Sequence, residues 1–208
     1  MGLFKDYVSQ TRKPEGFLGK LMLGGMNAGH AKMADWGMEN LPASPPERIV
    51  DLGCGGGRNL AVLLEKYPAA QVTGVDYSPL SVEKARTVNQ AAVNTGRCRV
   101  VEASVSSLPM ESDSCDLATA FETIYFWPGL ADCFAEVHRI LKSGGTFLIV
   151  NESDGTDAAS LKFEKIIEGM KTYTVDRIQE ALQSAGFTQI HAVHHGAKPW
   201  IAVTAKKE

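Results

Sequence analysis

The chain is short of cysteine, basic runs and long apolar segments, and each shortage excludes something. Only four cysteines occur in 208 residues. Cys54, Cys98, Cys115 and Cys133 form no C-x-x-C pair, so neither a zinc site nor a disulfide framework is indicated, and they read as small buried thiols. No stretch approaches the roughly 20 apolar residues that a membrane-spanning helix needs, because Lys20 interrupts Phe17 to Met26 and the Thr146 to Val150 run is short. Basic residues number 21 against 24 acidic ones, and no Lys/Arg run exceeds Lys206-Lys207, so nothing offers a phosphate backbone a landing strip. Nucleic-acid and membrane partners are therefore not expected. Met1-Gly2-Leu3-Phe4-Lys5-Asp6 opens like a myristoylation signal but has Asp6 where Ser or Thr is required, and no charged-then-apolar leader follows, so a cytoplasmic location is expected.

What is present is a composition for a packed core, 44% hydrophobic and 22% charged, over the length of one α/β domain. From about residue 47, short β-branched runs alternate with helical stripes, the pattern of a parallel sheet with helices on both faces. Strands are predicted at Arg48 to Leu52, Gln71 to Asp76, Cys98 to Glu102, Cys115 to Phe121 and Thr146 to Asn151. Leu60, Leu63, Leu64 and Tyr67 share one helical face. Ser78 is the N-cap of a second helix running towards Asn94, with Pro79 at a position where a missing N–H costs nothing. Leu130, Cys133, Phe134, Val137 and Leu141 mark a third helix ended by Ser143-Gly144-Gly145. Leu161 to Met170 and Val175 to Ala185 follow, the latter capped by Thr174. The short link His194 to Pro199 makes Thr188 to Val193 and Trp200 to Ala205 a hairpin, which reverses the last strand. Leu18, Leu21, Met22, Met26, Met33 and Trp36 predict two short helices over the sheet's open edge.

The expected chemistry gathers where strand tips meet. Asp51-Leu52-Gly53-Cys54-Gly55-Gly56-Gly57 stands between a strand and a helix, where bare amides and the positive helix end favour an anionic or dipolar ligand. Arg58 and Leu60 occupy the positions where the dinucleotide pattern G-x-G-x-x-G would need glycine, and no G-K-[ST] follows. A pyrophosphate cofactor and an ATPase loop are both disfavoured. Asp76 ends the second strand, at the place where a carboxylate accepts from ribose hydroxyls.

With Gly74-Val75-Asp76-Tyr77-Ser78, Ala103-Ser104-Val105-Ser106-Ser107-Leu108-Pro109-Met110, Asp113 to Phe121 and Leu141-Lys142-Ser143-Gly144-Gly145 added in order, the chain from Arg48 onward resembles the class I S-adenosylmethionine-dependent methyltransferases. The resemblance implies a three-layer Rossmann-like α/β sandwich whose seven-stranded, mostly parallel sheet has its last strand antiparallel. It implies S-adenosylmethionine as cofactor, with Gly53, Gly55 and Gly57 flanking the methionine moiety, Asp51 near its ammonium, Asp76 on the ribose, Tyr77 on the adenine, and Ser104 and Val105 touching the base. Phe121 is placed with them.

Phe121-Glu122-Thr123-Ile124-Tyr125-Phe126-Trp127-Pro128 leaves the fourth strand at the carboxyl edge, where ligands of open α/β folds bind, and is the candidate acceptor wall. Ile124 and Phe126 are expected to pack beneath the next helix. Glu122, Tyr125 and His30 are the candidate catalytic residues, since a carboxylate just beyond a buried strand needs solvent or a partner. Asn151-Glu152-Ser153-Asp154 faces the same crevice, but its spacing is ordinary for a strand-to-helix turn and no metal site is expected. Residues 1–46 read as a helical cap or lid and residues 47–208 as the cofactor domain. The expected activity is methyl transfer to a small molecule by a monomer or homodimer. A non-catalytic binder of the same cofactor and a nicotinamide-dependent reductase stand beside it.

Overall fold

A computed structural model describes residues 30–208. The strands β1 (Arg48–Leu52), β2 (Gln71–Asp76), β3 (Cys98–Glu102), β4 (Cys115–Phe121), β5 (Leu141–Asn151), β6 (Thr188–His194) and β7 (Ile201–Lys206) form one sheet in the order β3-β2-β1-β4-β5-β7-β6. The neighbouring pairs among β1 to β5 are parallel, and β7 alone runs backwards, inserted between β5 and β6. This is the expected Rossmann-like α/β architecture. The strand order turns at β1, between β2 and β4, so a crevice opens there beyond the carboxyl ends of the strands.

Alternate residues of the central strands feed two cores, because successive side chains point to opposite faces. Phe147 and Ile149 pack with Phe134, Ile178, Leu182 and Phe187 of the face covered by α5 (Leu130–Ile140) and α7 (Val175–Ser184). Leu148 and Val150 pack on the other face with Met33, Leu60, Leu63 and Val82. That face is covered by α1 (Ala31–Gly37), α2 (Arg58–Lys66) and α3 (Pro79–Val88). Among the described residues no helix is long and apolar enough to cross a membrane.

Several expectations change in detail. The helix begun at Pro79 breaks at Asn89 before α4 (Gln90–Asn94); the Asn89 side-chain amide donates 2.9 Å bonds to the Gly57 carbonyl of the glycine turn and to the Ala85 carbonyl of α3. Leu141 belongs to β5 rather than to the preceding helix. It pairs with Cys115, and Ser143-Gly144-Gly145 is an irregularity within the strand, not its start. The helix expected over Leu161 to Met170 is the shorter α6 (Ala158–Glu164), with Asp157 as N-cap to the Ser160 amide.

The expected cover at an open edge lies elsewhere. Met33, Ala34 and Met38 are buried against the sheet's face, where Gly37 approaches Val150 so closely that a Cβ would come within 2.4 Å of it. The central strands are the most apolar part of the sheet, and α1 follows that apolar surface. Leu18, Leu21, Met22 and Met26 lie outside the described residues.

Candidate active site

The turn after β1 is knitted to β2. Gly53 and Cys54 donate to the Val75 carbonyl at 2.7 and 3.0 Å, and Gly55 donates to Asp76 Oδ2 at 2.9 Å. Asp76 Oδ1 accepts from the Ser78 amide at 2.9 Å. Burial pushes the Asp76 carboxyl up, and these amide bonds pull it back. Two of the glycines are required for close approach. At Gly53, with φ +75°, a Cβ would lie 2.0 Å from Thr123 Oγ1; at Gly57, with φ +81°, it would lie 2.7 Å from Ala85 Cα. Gly55 faces open space.

Asp51 is 2% exposed beneath this turn, where it accepts from Thr119 Oγ1 at 2.7 Å. Burial raises its pKa to about 7, against the pull of the Thr119 bond. Beside the turn, Arg58 pairs with Asp35 of α1 at 2.5 Å, joining the start of α2 to the cover.

Beyond the strand tips lies a cavity of about 320 Å³. Of the residues that the sequence singled out, Gly53, Gly55, Asp76, Tyr77, Ser104, Val105, Phe121, Glu122 and His30 are brought together in its lining. Three candidates are not. Asp51 lies under the turn, Gly57 faces α3, and Tyr125 is buried behind the wall. Cys54, Arg58 and Asn59 line the cavity without having been singled out as site residues, and Thr123, Phe126 and Trp127 of the candidate acceptor wall line it too. Phe126 corrects the expectation of core packing: Ile124 to Phe126 form a 3-10 turn, which buries Ile124 fully and leaves Phe126 on the cavity side.

Glu122 carries the most strained backbone of the wall, at φ +59°. Its Oε1 accepts from the Tyr125 hydroxyl at 3.0 Å and from the Glu152 amide, while Oε2 lies 3.8 Å from His30 Nδ1. Burial raises its pKa to about 7 despite the imidazole nearby. Tyr125 in turn accepts from the Ser153 amide at 3.2 Å, and its hydroxyl, buried beside Glu122, is pushed well above its usual range. Tyr125 thus anchors the carboxylate from behind. His30 Nδ1 also lies 3.1 Å from Glu152 Oε2, so two loops expected only to share a crevice actually meet, with one donor atom each of His30, Glu122 and Glu152 within 4.8 Å of one another. The ion pair with Glu152 raises the His30 pKa and lowers that of Glu152.

Residues 50–149 match the family model described as a methyltransferase domain, a span that contains the glycine turn, Asp76 and the whole aromatic wall. That span carries a methyltransferase domain of the class I S-adenosylmethionine-dependent type. Among curated relatives, a trans-aconitate 2-methyltransferase of Streptomyces coelicolor is 36% identical over 110 residues, covering 53% of this chain and 36% of that protein. A sterol 24-C-methyltransferase of Gibberella zeae is 26% identical over 175 residues, covering 77% and 46%. The chain spans between 30% and 60% of the length of these curated relatives. In fold it is similar to a chain of the complex formed by the Haloferax volcanii Trm112 methyltransferase activator, with TM-score 0.80, 20% identity and 98% and 97% of the two chains covered. It is also similar to an S-adenosylmethionine-dependent methyltransferase of Mesorhizobium loti, with TM-score 0.69, 24% identity and 84% and 98% covered.

The family's cofactor fits the residues present. Gly55, whose open face leaves room for a ligand, the Asp76 carboxylate and the 41%-exposed Tyr77 ring all line the cavity.

Proposed function

We propose that this chain transfers a methyl group from S-adenosylmethionine to a small-molecule acceptor whose nucleophile arrives protonated, and that Glu122 removes that proton. One observation supports this most: a buried carboxylate with a pKa near 7 stands in the same cavity as the glycine turn and Asp76. Bound S-adenosylmethionine supplies a methyl group already activated by its positive sulfur. The chain's tasks are then to orient, to exclude water and to take one proton. Orientation lowers a barrier by up to about 7–11 kcal/mol, and a placed base adds roughly 10²–10⁴-fold.

Each part of the cavity has its share. The glycine turn and Asp76 seat the cofactor, with Asp51 supporting the turn from below through Thr119, Tyr77 on the base, and Ser104 and Val105 beside it. Phe121, Phe126 and Trp127 pack against an aromatic or cationic acceptor, each cation contact contributing roughly 0.5–2 kcal/mol. Tyr125 and the Glu152 amide fix Oε1 of Glu122, leaving Oε2 for the acceptor's proton. Because His30, Ala31 and Ala34 close one side of the cavity, residues 1–46 are proposed as a cap on it.

The nicotinamide reading has no support in the glycine turn, where Arg58 and Leu60 break the dinucleotide pattern. The test is a panel of amines, phenols, thiols and carboxylic acids, scored by S-adenosylhomocysteine formation. Amines or phenols are expected to be methylated, and Glu122→Gln to lose turnover on them while keeping cofactor affinity. Transfer to none of the panel, with the cofactor bound, would favour a non-catalytic binder.

A further inference from the structure

The methyl-transfer reading leaves a proton on Glu122 in the cavity, and the surrounding groups indicate where it goes. Side-chain exposure rises outward in steps, from 15% at Glu122 to 33% at His30 and 43% at Glu152. His30 presents the same nitrogen, Nδ1, to both carboxylates, 3.8 Å from Glu122 Oε2 and 3.1 Å from Glu152 Oε2, and it lines the cavity while Glu152 does not. It reaches there from the start of α1, whereas the two glutamates leave neighbouring parallel strands whose paired tips are Phe121 and Val150.

We propose that Glu152 is a positioning residue, holding the His30 imidazole against Glu122 so that His30 carries to solvent the proton Glu122 takes from the acceptor. This rests on the methyl-transfer reading. In that reaction the acceptor's lone pair forms the new bond to the methyl carbon, and the breaking carbon–sulfur bond returns its electrons to sulfur. The acceptor's proton passes to Glu122 Oε2 and then to the lone pair on Nδ1 of the neutral imidazole; the imidazolium so formed pairs with Glu152 and releases its Nε2 proton to water. Glu152 is never consumed.

The groups acting on His30 are few. Glu122 and Glu152 both favour its imidazolium, and Lys198 and the Trp200 side chain bear on Glu152 from the β6–β7 link. Tyr125 acts on Glu122 from behind, and Asp35 of α1 is occupied by Arg58. His30 is the N-cap of α1 but its side chain makes no capping bond, so the helix does not by itself aim the imidazole. The Glu152 contact supplies that direction, much as a second group orients a catalytic histidine elsewhere.

The test is an NMR titration of the His30 imidazole in the full chain saturated with S-adenosylhomocysteine, assigned by loss of the signal in His30→Asn. In the wild type the midpoint is expected above the ordinary 6.5. In Glu152→Gln, which keeps size and hydrogen bonding, it is expected to fall by about one pH unit, a tenfold loss of proton affinity. Glu152→Asp should restore part of that loss. A wild-type midpoint at or below 6.5, or one unmoved by Glu152→Gln at unchanged melting temperature, overturns the proposal. Calorimetry of S-adenosylhomocysteine on the same samples reports separately on the cofactor reading, so failure of one is not mistaken for failure of the other.

Discussion

Asp76 reaches back from the tip of β2 to accept the Gly55 amide at 2.9 Å, so the carboxylate proposed for the ribose also shapes the turn proposed for the methionine end. Asp76→Ala therefore removes two things at once. Hydrogen bonds to a charged group contribute about 1.5–3 kcal/mol, so S-adenosylhomocysteine affinity is expected to fall roughly 10- to 100-fold by calorimetry.

Gly57 belongs to the same motif but not to the cavity. Adding a Cβ at φ +81° meets Ala85 and Asn89 of the neighbouring helix region. Gly57→Ala is expected to destabilise the fold by about 2–5 kcal/mol, combining left-handed backbone strain with overpacking. The measurement is a denaturant titration, and near-wild-type stability with lost cofactor binding would instead place Gly57 at the ligand.

Most of the fold was legible because strand and helix periods differ and because Asp51 to Gly57 and Gly74 to Ser78 punctuate them. The reversal of β7 was readable from a six-residue link too short for a helix. Its insertion between β5 and β6 was not, since pairing partners depend on packing across the whole sheet. Likewise Phe126 and Ile124 look alike in sequence, and only the 3-10 turn sorts one to the cavity and the other to the core. The meeting of Glu122 with Glu152 needs the β4–β5 pairing, and their meeting with His30 needs α1 laid across the face. Thirty residues separate the two glutamates, and no local pattern records their contact.

Asp51 makes stability depend on pH in a stated direction. Its pKa rises from 3.8 to about 7 on folding, so between those values the folded chain keeps a proton that the unfolded chain has released. That contribution is complete below pH 4 and is lost as pH climbs towards 7. Asp51→Asn is expected to remove this downward slope, on the order of a few kcal/mol, in urea titrations at pH 4, 5.5 and 7. Identical slopes in the two proteins would show that Asp51 is ionised when buried.

Glu122 must be ionised to accept a proton. With its pKa near 7, kcat should climb tenfold per pH unit below that value and level off above it. Glu122→Gln should lower kcat by about 10²–10⁴-fold and abolish the climb. A pH profile that survives the substitution would assign the proton to another group.

The account stands on the glycine turn and Asp76 forming a seat for S-adenosylmethionine. Calorimetric titration of the wild-type chain with S-adenosylhomocysteine tests this most directly, with NADH as the comparison. Saturable one-to-one heat with the first compound and none with the second is predicted. No heat and no rise in melting temperature with S-adenosylhomocysteine, at any concentration that dissolves, would contradict it.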